Sequence, residues 1–200
     1  MTKFTYKGKY NGDPESLPAH RIEPTEVQFR EQDDLGKLGL YMNIVAIVML
    51  IPLLVIMVLR AGSIDAVLHG WGFCIGALLA IIAMVPHEFI HGLCFNGEVE
   101  MYQNLSQGML FVTGAEEFSK GQFVFMSMAP NLVFGFVPFI VFLICPKLVW
   151  LGVLGAMSIV SGTGDYYNVL NCARQVPKGC PVYMRGFHSY WYRPEGSENL

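Results

Sequence analysis

Long stretches without a charge alternate with short polar connections along this chain. Leu38–Leu59, Ala66–Pro86 and Gln122–Cys145 contain no Asp, Glu, Lys or Arg, and a further apolar run extends from Leu148 to about Cys172. Each is close to the roughly 20 residues that a helix needs to cross a hydrocarbon core about 30 Å thick. The pattern predicts an all-α membrane protein, a four-transmembrane-helix bundle with spans at about 38–59, 66–95, 122–144 and 148–172. Composition agrees, with 53% hydrophobic and only 14% charged residues, where roughly a quarter charged is usual for a soluble domain.

The polar remainder divides into three parts. Residues 1–37 are mixed in charge and interrupted by Pro14, Pro18 and Pro24, which predicts little regular structure before the first span. No signal peptide is expected there, so insertion falls to the first spanning helix. The loop 96–121 is the only sizeable connection. Within it Met109–Thr113, followed by Gly114-Ala115-Glu116-Glu117, predicts a strand and a turn. The tail, 173–200, is aromatic and basic and suits packing at a membrane interface.

Lysine and arginine set the orientation. Of the 13 such residues, all but Arg60 and Lys147 fall in the two terminal segments and the central loop. An excess of positive charge marks the cytoplasmic side, so the expectation is a multi-pass protein of the cell membrane with both termini cytoplasmic. The net charge of −3 offers no basic face for nucleic acid. The five cysteines form no CxxC pair, which argues against a disulfide framework. The bilayer is the implied partner.

Chemistry concentrates at the end of the second span, in His87-Glu88-Phe89-Ile90-His91. Residues four apart share a helix face, so two imidazoles reach one metal with Glu88 beside them. Zinc fits such ligands, and a catalytic site leaves a position to water whose proton Glu88 can take. Ionisable groups inside an apolar span default to a functional reading. The site needs a third ligand, for which Cys94, His188, the loop glutamates (Glu98, Glu100, Glu116, Glu117) and Asp165 are candidates. Asp165 is the outstanding one, as the only acid in the third and fourth spans. Counted from the outer side, His87 and Asp165 differ in depth by only about 6 Å at 1.5 Å per residue. Small residues, Gly72, Gly76 and Ala80 facing Gly152, Ala156, Ser158 and Gly162, would let the second and fourth spans approach closely. Pro86 either starts a tilted half-helix or is tolerated within the span. Asn131, polar at depth in the third span, could bond a substrate backbone or join helices.

In this order, HEFIHG at 87–92, SKGQFVFMSMAPN at 119–131 and SGTGD at 161–165 resemble the bacterial membrane proteins described as putative zincin peptidases, and more distantly site-two proteases. The resemblance covers roughly 38–172. It implies zinc held by His87, His91 and Asp165, with Glu88 as general base. It further implies that Met109–Thr113 belongs to a sheet that receives a peptide as an added strand. Together these readings predict a membrane-embedded zinc metalloprotease that hydrolyses peptides or membrane proteins at or just inside the cytoplasmic leaflet. A non-catalytic metal-binding scaffold is the alternative. Transport ranks lowest, because the first and third spans offer few polar groups.

Overall fold

A computed structural model of the chain describes residues 2–104 and 109–194. Seven α-helices and seven strands follow one another in that span. The chain divides into two compact units, each with its own core.

The first unit takes Gln32–His87 and Met128–Tyr166 and holds most of the apolar helix. Helix α1 (Leu35–Ala61) is started by Asp34, whose carboxylate accepts from the Gly36 and Lys37 N–H groups, and is closed by Gly62 at φ +88°. Those are the expected capping chemistries, since glycine adopts the left-handed C-terminal position without a Cβ penalty. A short α2 (Ile64–Leu68) precedes α3 (Trp71–Leu93). Helix α4 (Lys120–Pro130), most of which belongs to the second unit, runs on into a π-helical segment (Asn131–Phe136) and α5 (Val137–Ile144), followed by α6 (Val149–Ser161). Met57, Val67, Phe139, Phe142, Val153, Ala156 and Ile159 form the buried core of this unit.

Three helical stretches, Gly36–Ala61, Trp71–Leu93 and Lys120–Ile144, are long and apolar enough to cross a membrane. The outer face of α1 leaves Leu40, Ile44, Ile47, Val48, Ile51 and Val55 exposed. The fourth span expected at 148–172 takes a different form. The chain breaks at Gly162 into α6, of 13 residues, and α7 (Thr163–Gln175). At 1.5 Å per residue α6 is about 20 Å long, short of a full crossing, and α7 carries Asp165, Asn168, Asn171 and Arg174. The expected close approach is present on one side only: Gly72 and Gly76 lie against Val149, Trp150 and Val153 of α6, whereas Gly152 and Gly162 lie against Phe142 and Asn131. A Cβ on Gly76 would lie 2.5 Å from the Trp150 carbonyl oxygen, and one on Gly72 would lie 3.0 Å from Val149 Cβ.

The second unit takes Met1–Glu31, Glu88–Ser127 and Tyr167–Leu200, and here the all-α expectation is corrected. It contains two sheets. In one, β1 (Lys3–Lys9) pairs in parallel with β3 (Glu98–Asn104), which pairs antiparallel with β4 (Met109–Thr113). In the other the order is β2 (Val27–Gln28), β7 (His188–Trp191), β6 (Pro181–Arg185), β5 (Glu117–Ser119). The strand expected at Met109–Thr113 is therefore present, at one edge of the three-stranded sheet. Residues 2–37 carry more order than expected. The cause is non-local: β1 contains three lysines and no long apolar run, and is held by the ladder to β3 some 95 residues on. Phe29, Phe95, Val99, Phe118, Phe123, Met126, Cys172, Val176, Cys180 and Val182 make its core.

Candidate metal centre

Helix α3 carries the motif through its last two turns, with Pro86 inside an unbroken helix. Its periodicity brings ligand atoms of His87, Glu88 and His91 within 4.8 Å of one another. His91 is buried, and its Nδ1 lies 2.8 Å from the Met126 carbonyl oxygen. A carbonyl only accepts, so Nδ1 carries the hydrogen and Nε2 the lone pair. Fixing the tautomer through the second nitrogen is how metal-binding histidines are usually oriented.

His87 has a different neighbour. Its Nε2 lies 3.2 Å from Asp165 Oδ2, both side chains being about 15% exposed. Asp165 sits in the first turn of α7 just past Gly162. The same carboxylate oxygen is held by Asn131, whose Nδ2 donates to Oδ2 at 2.6 Å. The Tyr166 hydroxyl in turn donates to Asn131 Oδ1 at 3.3 Å. Asn131 is fully buried, so the residue named above for a substrate backbone has its amide oxygen and nitrogen occupied by side chains of the protein.

The backbone explains why Asn131 reaches that far. It opens the π-helical segment, where the Val137 N–H bonds the Leu132 carbonyl, five residues back. Wider turns of this kind inside α-helices cluster at functional sites. Gly162 supplies the space on the opposite side. A Cβ there would lie 1.9 Å from Asn131 Oδ1.

The rival third ligands have other partners. Cys94 Sγ donates to the Ile90 carbonyl of its own helix. Glu116 accepts from the Asn96 and Gly97 N–H groups, Glu98 pairs with Lys3, and Glu100 with Lys7. Glu117 faces His20, and His188 faces Glu31. Two imidazoles and a carboxylate fit the donor set of zinc hydrolytic sites, in which three protein ligands leave one position open. Sequence reasoning did not find the Tyr166–Asn131 bond, the Met126 carbonyl or the contact of Gly162 with Asn131. The Pro130-Asn131 pair and the glycines before Asp165 were the available signals.

Two histidines one turn apart on a helix, with a glutamate following the first, define a site of the zincin type. The chain belongs to the family described as "Putative zincin peptidase", whose model matches residues 80–181 and so takes in the motif and Asp165 alike. No curated protein and no solved structure matches the chain.

Proposed function

We propose that the protein is a membrane-embedded zinc metalloprotease that hydrolyses peptide bonds at or just inside the cytoplasmic leaflet. The observation that carries this reading is the motif on α3 together with an aspartate carboxylate on His87 that is itself held by Asn131. His87, His91 and Asp165 would hold the metal. Bound there, zinc would supply Lewis-acid polarisation of a water and of the scissile carbonyl.

The remaining steps belong to the chain. Glu88, half-buried and adjacent to His87, accepts the proton from the attacking water and returns it to the leaving amine. The Met126 carbonyl keeps His91 in the tautomer that presents Nε2. Asn131 acts on Asp165 rather than on substrate, and holds one carboxylate oxygen in place. The apolar surfaces of the three long helices support insertion in a bilayer, which excludes competing water. The lysine and arginine distribution supports cytoplasmic termini.

Zinc content and turnover of the Glu88→Gln protein test the reading together. One zinc retained with no cleavage of a peptide substrate is the expected result. Cleavage persisting in Glu88→Gln would remove the general base from the mechanism. Unaltered behaviour of cells carrying the variant would move the protein to the class of metal-binding scaffolds.

A further inference from the structure

A second group of metal-ligating side chains lies away from α3, within the sheet-containing unit. His20, Glu23 and Glu117 bring one ligand atom each within 4.8 Å of one another. His20 follows the residue that bridges to Arg185, and Glu117 opens β5, so a chain separation of nearly 100 residues closes on one point.

The hydrogen positions on His20 follow from its partners. Nδ1 lies 3.0 Å from the Ala115 carbonyl oxygen, which can only accept, so Nδ1 carries the hydrogen. Nε2 is left facing two carboxylates, 2.9 Å from Glu117 Oε1 and 3.5 Å from Glu23 Oε1. It is buried and, among the described residues, has no partner in hydrogen-bonding geometry. An imidazolium N–H would need an acceptor in line with it, and neither carboxylate stands there. A buried imidazole nitrogen beside two carboxylate oxygens, with neither in line for a hydrogen bond, is an arrangement a cation completes.

The surroundings fit that use. Glu23 is buried and is steadied by the Arg21 guanidinium, and Glu117 Oε1 accepts from the Tyr192 hydroxyl at 2.9 Å. These contacts orient the carboxylates as outer partners of metal ligands do. Glu117 is a third exposed, which leaves a path for an ion and a position for water. The His20 ring packs on Tyr183, with centroids 4.4 Å apart.

We propose that His20, Glu23 and Glu117 form a second divalent-cation site, of the zinc class by its one nitrogen and two oxygen donors. It ties the amino-terminal segment to β5 and is independent of the motif on α3.

The test counts zinc per chain by elemental analysis of the full-length, detergent-purified protein after equilibrium dialysis against micromolar zinc. The wild type is expected to hold about two zinc ions, His20→Ala/Glu117→Gln about one, and His87→Ala/His91→Ala about one. Thermal unfolding supplies the second readout. Added zinc should raise the melting temperature of His87→Ala/His91→Ala and leave that of the four-fold variant unchanged. A wild type holding one zinc that survives His20→Ala/Glu117→Gln would overturn the proposal, and that comparison does not depend on whether the α3 variant folds. One zinc lost in His20→Ala/Glu117→Gln would support it while removing the metal from α3.

Discussion

Asn131 donates its side-chain amide to Asp165 at 2.6 Å from the first residue of a π-helical segment. The bond neutralises part of the cost of a buried polar amide and fixes which carboxylate oxygen faces His87. Loss of an outer partner of this kind typically weakens metal binding about 10- to 100-fold. Asn131→Ala should show that loss in zinc affinity measured by competition with a chelating dye. Tyr166→Phe, which removes only the longer 3.3 Å bond to Asn131 Oδ1, should show a smaller one.

Gly162→Ala probes the same contact from the other side. The added Cβ would lie 1.9 Å from Asn131 Oδ1 and 2.5 Å from its Cγ, and a fully buried, bonded side chain has nowhere to retreat. Overpacking of this sort costs about 1–3 kcal/mol, and displacing Asn131 should release Asp165 as well. Both the melting temperature and the zinc affinity are expected to fall. Gly164→Ala is the control, because nothing lies within 4 Å of its Cβ position and its backbone is not in the left-handed region. It should leave both quantities unchanged or raise stability by a few tenths of a kcal/mol.

The parts of the molecule legible in the sequence are those fixed by local pattern. A run such as Leu38–Leu59 with no charge reads as one long apolar helix, and HExxH places its side chains by helix periodicity alone. Asp165 stood out because an acid is rare in such a run. The pairing of β1 with β3 was not legible, since Lys3-Phe4-Thr5-Tyr6-Lys7 has no distinctive apolar face and its partner lies far along the chain. The hairpin of β6 and β7 did leave a signal. Arg185 and His188 pair across Gly186-Phe187, with Gly186 at φ +62°, the glycine-first chemistry of a tight primed turn. The aromatic residues around it draw attention to the membrane interface instead. Gly162 divides the fourth apolar run, and the space beside it is taken by Asn131, a tertiary contact that periodicity does not encode.

Gly92 follows the second histidine and is crowded by the amino-terminal strand. A Cβ there would lie 2.2 Å from Phe4 Cε2, and the Phe4 ring also packs on Phe89, centroids 4.9 Å apart. Gly92→Ala should therefore destabilise the protein by pushing Phe4 and β1 outward. In a Phe4→Ala background the same change should cost little. The coupling between the two substitutions, read from denaturation midpoints, is expected at about 1–3 kcal/mol. Additive effects would mean that β1 adjusts without involving Phe4.

Glu26 links the amino-terminal segment to the carboxy-terminal hairpin, and its titration gives a signed prediction. Arg185 Nη2 donates to its Oε1 at 2.7 Å, Nη1 donates to Oε2 at 3.2 Å, and the Tyr183 hydroxyl donates to the same Oε2. The Arg185 bonds hold the carboxyl below its ordinary range, against the opposing effect of burial. A carboxyl with a depressed folded-state pKa stabilises the fold above its unfolded value, near about 4.3, and that contribution is lost as pH falls through the folded value. Charge-assisted bonds of this kind contribute about 2 kcal/mol, so Glu26→Gln should be less stable than the wild type by about that amount at pH 7. The difference should narrow below pH about 4.3 and vanish once Glu26 is protonated in both states. Thermal unfolding of the two proteins between neutral and acid pH measures it directly. Curves that stay parallel down to pH about 2 would assign the loss to packing around Tyr183 rather than to the charge on Glu26.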